Sequence, residues 1–383
     1  MNTSVDRNLP PRMMSGGRNE SRRHQTVATV WKGATVSLRS TTTVRLAVGL
    51  AVAALIFSAC KSAAGSASPA ASTAVVASAS AAAGGSAPAS AAAKSLAPCG
   101  TVNIAENAWV GYQADAAVVA YLLNKELGCT VVKKTIDESI SWQGFPTGQV
   151  DAILEVWGHK DLYAKYVTTD KTAVDVGPNG AQGVIGWFVP KTFADAHPDI
   201  LTADKNPAVL NTYADQFKTS ESGGKGQLLD GDPSFVTEDA GIVAGLGLNY
   251  KVVFSGSEAA SDKAIKAAID QGKPILAYYY TPNWFSTQVD LVHIPLPAAT
   301  PGCDTDVHKI TCDYPPYDAL YKVVSSKLAN SGSPAFTLIK NFKWTNEDQN
   351  TVAAYIANDN MTDDQAAQKW VDANPTKWAA WMP

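Results

Sequence analysis

From about position 100 onward, short apolar runs alternate with longer amphipathic stretches, and the alternation predicts strand–helix–strand units. Thr101-Val102-Asn103-Ile104-Ala105 reads as a strand. Ala114 to Leu127 sets Val118, Val119, Leu122, Leu123 and Leu127 at helical spacing, and Gly128 closes it. Thr130-Val131-Val132 opens a second strand, Trp142–Thr147 a short helix, and Val150–Trp157 a third strand. Val184–Val189 and Val252–Phe254 predict further strands, and Ala240–Gly245 and Ser261–Gln271 predict helices. Tyr317–Ala329 and Asn346–Pro383 read as helical. This spacing indicates βαβ units.

One run stands apart. Ile275-Leu276-Ala277-Tyr278-Tyr279 is continuously apolar and bounded by Lys273-Pro274 and Thr281-Pro282. That is the pattern of a strand buried on both faces, as in a parallel sheet. Open parallel sheets bind ligands at the carboxyl ends of their strands. Here that end carries Tyr280 and Trp284 and almost nothing ionisable, which suits a ligand that is held rather than transformed.

The first hundred positions follow another pattern. Arg39 and Arg45 precede the apolar run Leu46–Phe57, which is short for a membrane span of about 20 residues. The run ends Phe57-Ser58-Ala59-Cys60, resembling a bacterial lipobox, in which small residues precede a cysteine that is acylated and becomes the new N-terminus. Residues 1–59 are expected to be a signal peptide with an extended leader, or one starting at Met13 or Met14. The alternative is an ordinary signal peptide with an incidental cysteine. From Lys61 to about Leu96, Ala, Ser and Gly dominate, so residues 60–98 read as a lipidated cysteine and a flexible tether reaching roughly 35 Å from the membrane.

Charge sharpens this division. All the arginines lie at or before position 45, and beyond Cys60 every fixed cation is a lysine. A basic leader on an acidic body marks export, and a body without arginine argues against nucleic-acid binding. The length of 383 residues allows about two lobes. Apart from Cys60, four cysteines remain, and they allow three pairings. Cys303–Cys312 reads as a small loop closed on itself, while Cys99 and Cys129 flank the first strand and helix and are placed to meet. Two bridges suit an oxidising compartment. Without a CxxC pair, no zinc or other metal site is expected.

Catalytic templates fail. The chain contains no HExxH, GxSxG or GxxxxGK[ST] pattern, and Ser222-Gly223-Gly224-Lys225 lacks the motifs that accompany a catalytic SxxK. No catalytic residue and no cofactor is expected. Aromatic residues carry the better signal. Trp109, Trp157, Phe235 and Tyr280 each fall at a strand end or a helix start, the geometry of a shared rim.

On these residues the chain resembles the substrate-binding proteins of ABC importers for glycine betaine, proline betaine, choline and related quaternary amines. The resemblance runs from about Cys99 to Pro383. Gly148-Gln149-Val150-Asp151-Ala152 through Trp157, Ala181-Gln182-Gly183, Asp232-Pro233-Ser234-Phe235 with Glu238 and Ala240, and Tyr280-Thr281-Pro282-Asn283-Trp284 carry it. It implies an α/β, two-lobed periplasmic-binding-protein fold of type II with a two-crossing hinge. Lobe I would comprise residues 99–180 and 297–383, and lobe II residues 181–296. It also implies an aromatic cage of Trp157, Phe235 and Tyr280, with Trp109 as a fourth wall. The family often has tryptophan where Phe235 and Tyr280 stand. The implied partners are a small quaternary amine, a permease with its ATPase, and a membrane reached through a lipid anchor, with the chain a monomer.

The physics of such a ligand agrees. A quaternary ammonium has no N–H to donate, whereas ring faces attract its diffuse charge at about 0.5–2 kcal/mol per contact. For a betaine carboxylate, the resemblance points to the backbone N–H groups of Val236 and Thr237 ahead of a helix. The alternative there is simple N-capping by Thr237. Glu155, two residues before Trp157, either faces the cage and favours a cation without its own acid, or is paired to a lysine or shifted by a bulge. His159 reads as a satisfied loop histidine. The rival functions are a secreted hydrolase or transferase using Glu155 or His159, and a sensor or adhesin.

Overall fold

The computed structural model describes residues 98–235 and 237–383, so Cys60, the tether and Val236 lie outside the described residues. Ten strands form two five-stranded sheets of matching plan. The first contains β1 (Thr101–Glu106), β2 (Thr130–Thr135), β3 (Ala152–Val156) and β4 (Ala173–Pro178), plus the last strand, β10 (Tyr321–Ser325). The second contains β5 (Val184–Pro190), β6 (Gly226–Asp230), β7 (Tyr250–Phe254), β8 (Ala277–Thr281) and β9 (Leu291–Ile294). Their orders are β2-β1-β3-β10-β4 and β7-β6-β8-β5-β9. In each sheet three parallel strands are followed by antiparallel neighbours.

Each sheet is the centre of one lobe. In lobe I the helix Val110–Lys125 packs on helices Asn346–Ala357 and Asp363–Ala373, burying Val118, Val119, Leu122 and Leu123. This is the stripe whose spacing predicts the helix. Gly128, at φ +66, turns the chain into β2, a conformation that glycine adopts without a Cβ penalty. Cys99 pairs with Cys129 beside this turn, and Cys303 pairs with Cys312. In lobe II, Tyr279 on β8 packs with Phe188, Ile265 and Phe285 on the sheet face away from the cleft.

Several elements depart from the expectations. β8 is buried on both faces, but it runs parallel to β6 and antiparallel to β5, so the sheet is mixed rather than parallel. Tyr321–Ser325, expected to be helical, is the strand β10 inserted between β3 and β4. Its Lys322 is fully buried and donates to the carbonyls of Lys340 and Phe342. A lysine inside a central strand disguises an apolar run as an amphipathic one. β4, β6, β9 and the helix Pro334–Asn341 also emerge without clear pattern signals.

The chain passes between the lobes after β4 and again before β10. The two passing segments pair with each other. Gly183 N donates to Tyr317 O (2.7 Å), Tyr317 N returns to Gly183 O (3.2 Å), and Leu320 N donates to Ala181 O (2.9 Å).

Candidate ligand-binding site

The carboxyl ends of the parallel strands meet across a cleft of about 660 Å³, a size typical of small-molecule sites. Trp109 immediately precedes the helix Val110–Lys125, Trp157 follows β3, Phe235 lies in the loop after β6, and Tyr280 belongs to β8. The structure brings all four to the cleft. Trp109 meets Phe235 at 5.7 Å between centroids and 84°, Phe235 meets Tyr280 at 6.4 Å and 87°, and Tyr280 meets Trp157 at 5.7 Å and 78°. Successive edge-to-face contacts are the favoured arrangement for aromatic pairs. They also turn each ring face in a different direction, as the walls of a box do.

Glu155 determines how the two indoles stand. Its side chain is on the same side as Trp157, but it sits behind the rings and does not line the cleft. Oε1 accepts Trp109 Nε1 at 2.7 Å and Trp157 Nε1 at 2.8 Å, and Oε2 accepts Gln349 Nε2. Of the two expectations for a buried Glu155, the lysine partner fails, since its partners are indole and amide N–H groups, whereas a register shift does fall there, between the β3–β10 pairs Ile153–Val323 and Val156–Tyr321. Burial pushes its carboxyl up, while the neighbouring Asp115 and the hydrogen bonds from the two indoles and Gln349 oppose the rise. Burial, with the neighbouring Glu155 charge, also pushes the Asp115 carboxyl well above its usual range.

The second lobe has its own buried acid. Glu258 accepts the Tyr280 hydroxyl at 2.5 Å and Asn283 Nδ2 at 2.9 Å. The tyrosine run divides by strand alternation. Tyr280 and Tyr278 line the cleft, whereas Tyr279 enters the core behind the sheet. Tyr278 is therefore a wall residue rather than the core filler that its depth suggests.

Thr237 lines the cleft, but its donors are engaged elsewhere. The hydroxyl donates to Asp230 Oδ2 at 2.8 Å and the backbone N–H to Phe235 O at 3.0 Å. Glu238 N donates to the Tyr314 hydroxyl, which in turn donates to the buried Asp239. Hydroxyls that face the cleft without a hydrogen bond among the described residues belong to Tyr278 and Tyr317. Burial raises both phenols, which keeps them as donors.

Tyr317 and Glu138 are wall residues that the pattern reading misses. Tyr317 packs against Trp157 at 5.5 Å and 73°, and Pro315-Pro316 just before it signals a break in the helix expected there. Glu138 stands 2.8 Å from His159 as an ion pair, and His159, read as a loop histidine, also lines the cleft. Burial lowers the imidazole, but Glu138, helped by Asp161 and Glu238, outweighs it and leaves the pKa raised. A raised histidine stabilises fully below its unfolded value of about 6.5 and loses that contribution as pH rises through the folded value. The melting-temperature gap between wild type and His159→Gln is therefore expected to be widest near about pH 6 and to narrow toward about pH 9. A gap independent of pH would remove the pair from the account.

The Cys303–Cys312 loop closes one side of the cleft through Asp304, Val307 and Ile310. It docks on the helix Asp239–Gly245, where Ile310 N donates to Gly241 O at 3.0 Å. A Cβ at Gly245 would stand 1.9 Å from Ile310 O, so only glycine permits this approach. Replacing both cysteines by serine loosens the loop, and ligand affinity is expected to fall severalfold, about 1 kcal/mol, as read by calorimetry.

Residues 100–373 match the OpuAC family, the substrate-binding domain of the ABC-type glycine betaine transport system. The trimethylamine N-oxide-binding protein of Pelagibacter ubique (strain HTCC1062) is 29% identical over 266 residues, spanning 66% of this chain and 82% of that protein. Two solved structures share the fold. A lactococcal OpuAC in its closed form with glycine betaine has a TM-score of 0.57 at 20% identity, covering 74% of this chain and 99% of its own. An ABC-transporter choline-binding protein with choline reaches 0.59 at 18% identity, covering 74% and 91%. The chain belongs to the family of ABC-type glycine betaine substrate-binding domains. It is accordingly an extracytoplasmic transport protein of the quaternary-amine type, built on the two-lobed periplasmic-binding-protein fold, and not an enzyme.

Proposed function

We propose that this protein captures a small, fully methylated amine, such as glycine betaine, proline betaine, choline or trimethylamine N-oxide, and passes it to an ABC permease and its ATPase. The convergence of Trp109, Trp157, Phe235 and Tyr280 on one cleft carries the reading. Their ring faces would hold the methylated head, at about 0.5–2 kcal/mol per contact. The ligand's oxygen would receive hydrogen bonds from the hydroxyls of Tyr278 and Tyr317, which line the cleft without a hydrogen bond among the described residues. In this reading Thr237 supports the loop through Asp230, which favours the tyrosine hydroxyls over Thr237 as the partner of the ligand's oxygen.

The division into lobe I (99–180 with 297–383) and lobe II (181–296) belongs to the same proposal. The paired segments around Gly183 and Tyr317 would act as the hinge, and ligand bound to both lobes would favour the closed form by its differential affinity. The motif ending at Cys60 supports a lipid anchor, with the body tethered as a monomer outside the cytoplasmic membrane. Calorimetry on the purified chain should give micromolar binding, about −8 kcal/mol, for at least one of choline, glycine betaine, proline betaine and trimethylamine N-oxide. Silence from all four would end the reading.

A further inference from the structure

Two carboxylates stand behind the aromatic walls, one in each lobe, and neither has a cationic partner among the described residues. Glu155 is 1% exposed and Glu258 is 7% exposed. Glu155 is held by Trp109, Trp157 and Gln349. Glu258 holds Tyr280 and Asn283 on its own lobe. Across the cleft, its Oε2 accepts the backbone N–H of Val110 at 2.7 Å.

That last bond is unusual in kind. Val110 opens the helix Val110–Lys125, and the residue at the capping position, Trp109, makes no side-chain cap because an indole offers no acceptor. The orphan donor and positive end of a lobe I helix are thus satisfied by a lobe II carboxylate. This bond joins the two lobes, and Glu258 lies near enough to Glu155 to feel its charge.

Nearby groups do not neutralise the two. Lys322, its pKa lowered to about 7 chiefly by burial, donates to the backbone carbonyls of Lys340 and Phe342 and makes no bond to either glutamate. Asp262, raised to about 8 by burial and by Glu258, stays protonated at neutral pH and adds no charge. Burial raises Glu258 itself, and the charge of Glu155 adds to the rise.

We propose that Glu155 and Glu258 are hidden counter-charges that select a positively charged head and make closure depend on it. Closure sets two buried carboxylates near each other at a cost, and a cation between the ring walls offsets that cost through a low-dielectric path. A neutral molecule of the same shape fills the rings but leaves the repulsion standing. The selection thus comes from acids that never touch the ligand, and the aromatic faces supply the shape.

This inference rests on the quaternary-amine reading, and one experiment separates the two. Affinities of the purified full chain for choline and for its neutral isostere 3,3-dimethylbutan-1-ol are measured by calorimetry, with small-angle scattering reporting closure. The wild type should prefer choline and contract only with choline. In Glu258→Gln, and independently in Glu155→Gln, the choline-to-isostere affinity ratio should fall about tenfold. A merely structural role would weaken both ligands alike. An unchanged ratio in the variants, or a wild type that binds the isostere as tightly as choline, overturns the inference while the quaternary-amine reading stands. A wild type that binds no choline, glycine betaine or trimethylamine N-oxide overturns both. If one variant fails to fold, the other and the wild-type ratio still decide.

Discussion

Trp157→Ala is expected to lower ligand affinity about 100-fold or more, about 3 kcal/mol. Two losses combine. The first is a desolvated ring face, worth about 2 kcal/mol toward a cation. The second is indirect: Glu155 loses one of its two indole donors, and a buried carboxylate with fewer partners is costly. The ring also braces Tyr280 and Tyr317, at 5.7 and 5.5 Å, so its removal leaves two neighbours unsupported. Trp157→Phe separates these contributions because it restores a face without the N–H. Its affinity should fall between those of wild type and alanine. Equal affinity for the phenylalanine variant and wild type would mean that the Glu155 bond plays no part in binding. A tenfold loss or less for alanine would mean that Trp157 is a minor wall.

Much of this site is legible in the sequence, and the reasons are local. Trp157 and Tyr280 lie at the ends of apolar runs with strand periodicity, and a strand's carboxyl end is a fixed place in this architecture. Two-residue alternation separates Tyr279 from Tyr280 without any structure. The hidden parts are those set by distant pairing. Glu155 reads as a misplaced charge until Trp109 and Gln349 arrive from other elements. Glu258 looks like an ordinary acid in the first turn of a helix, and nothing near it in sequence announces Val110, 148 positions away. Lys322 misleads for the same reason, since its partners are carbonyls contributed by another segment. Glu138, the first residue of the helix Glu138–Thr147, and Tyr317, in the segment leading into β10, stay unseen because their places in the wall depend on distant packing. Periodicity reports which face a side chain takes. It does not report what waits on that face.

The link between the crossing segments and the cage leads to the second large effect. Gly183 pairs with Tyr317 through both backbone hydrogen bonds, and a Cβ built on Gly183 would lie 2.3 Å from Trp157 Cζ3 and 2.7 Å from Cη2. The indole cannot swing aside freely, because its Nε1 is fixed on Glu155 at 2.8 Å and the ring meets Tyr317 in an edge-to-face contact. Gly183→Ala must therefore displace either the ring or the crossing strand, an overpacking cost of about 1–3 kcal/mol. If the ring yields, affinity falls about 10- to 100-fold although no ligand contact has been removed. A double-mutant cycle locates the strain. With Trp157 already replaced by alanine, the methyl added by Gly183→Ala has room, so the second substitution should add less than about 0.5 kcal/mol. Full additivity would instead place the damage in the paired crossing segments, and scattering would then register a change in closure in the Gly183→Ala variant even without ligand. Either result turns on one contact, the flat of an indole lying where a side chain would otherwise begin.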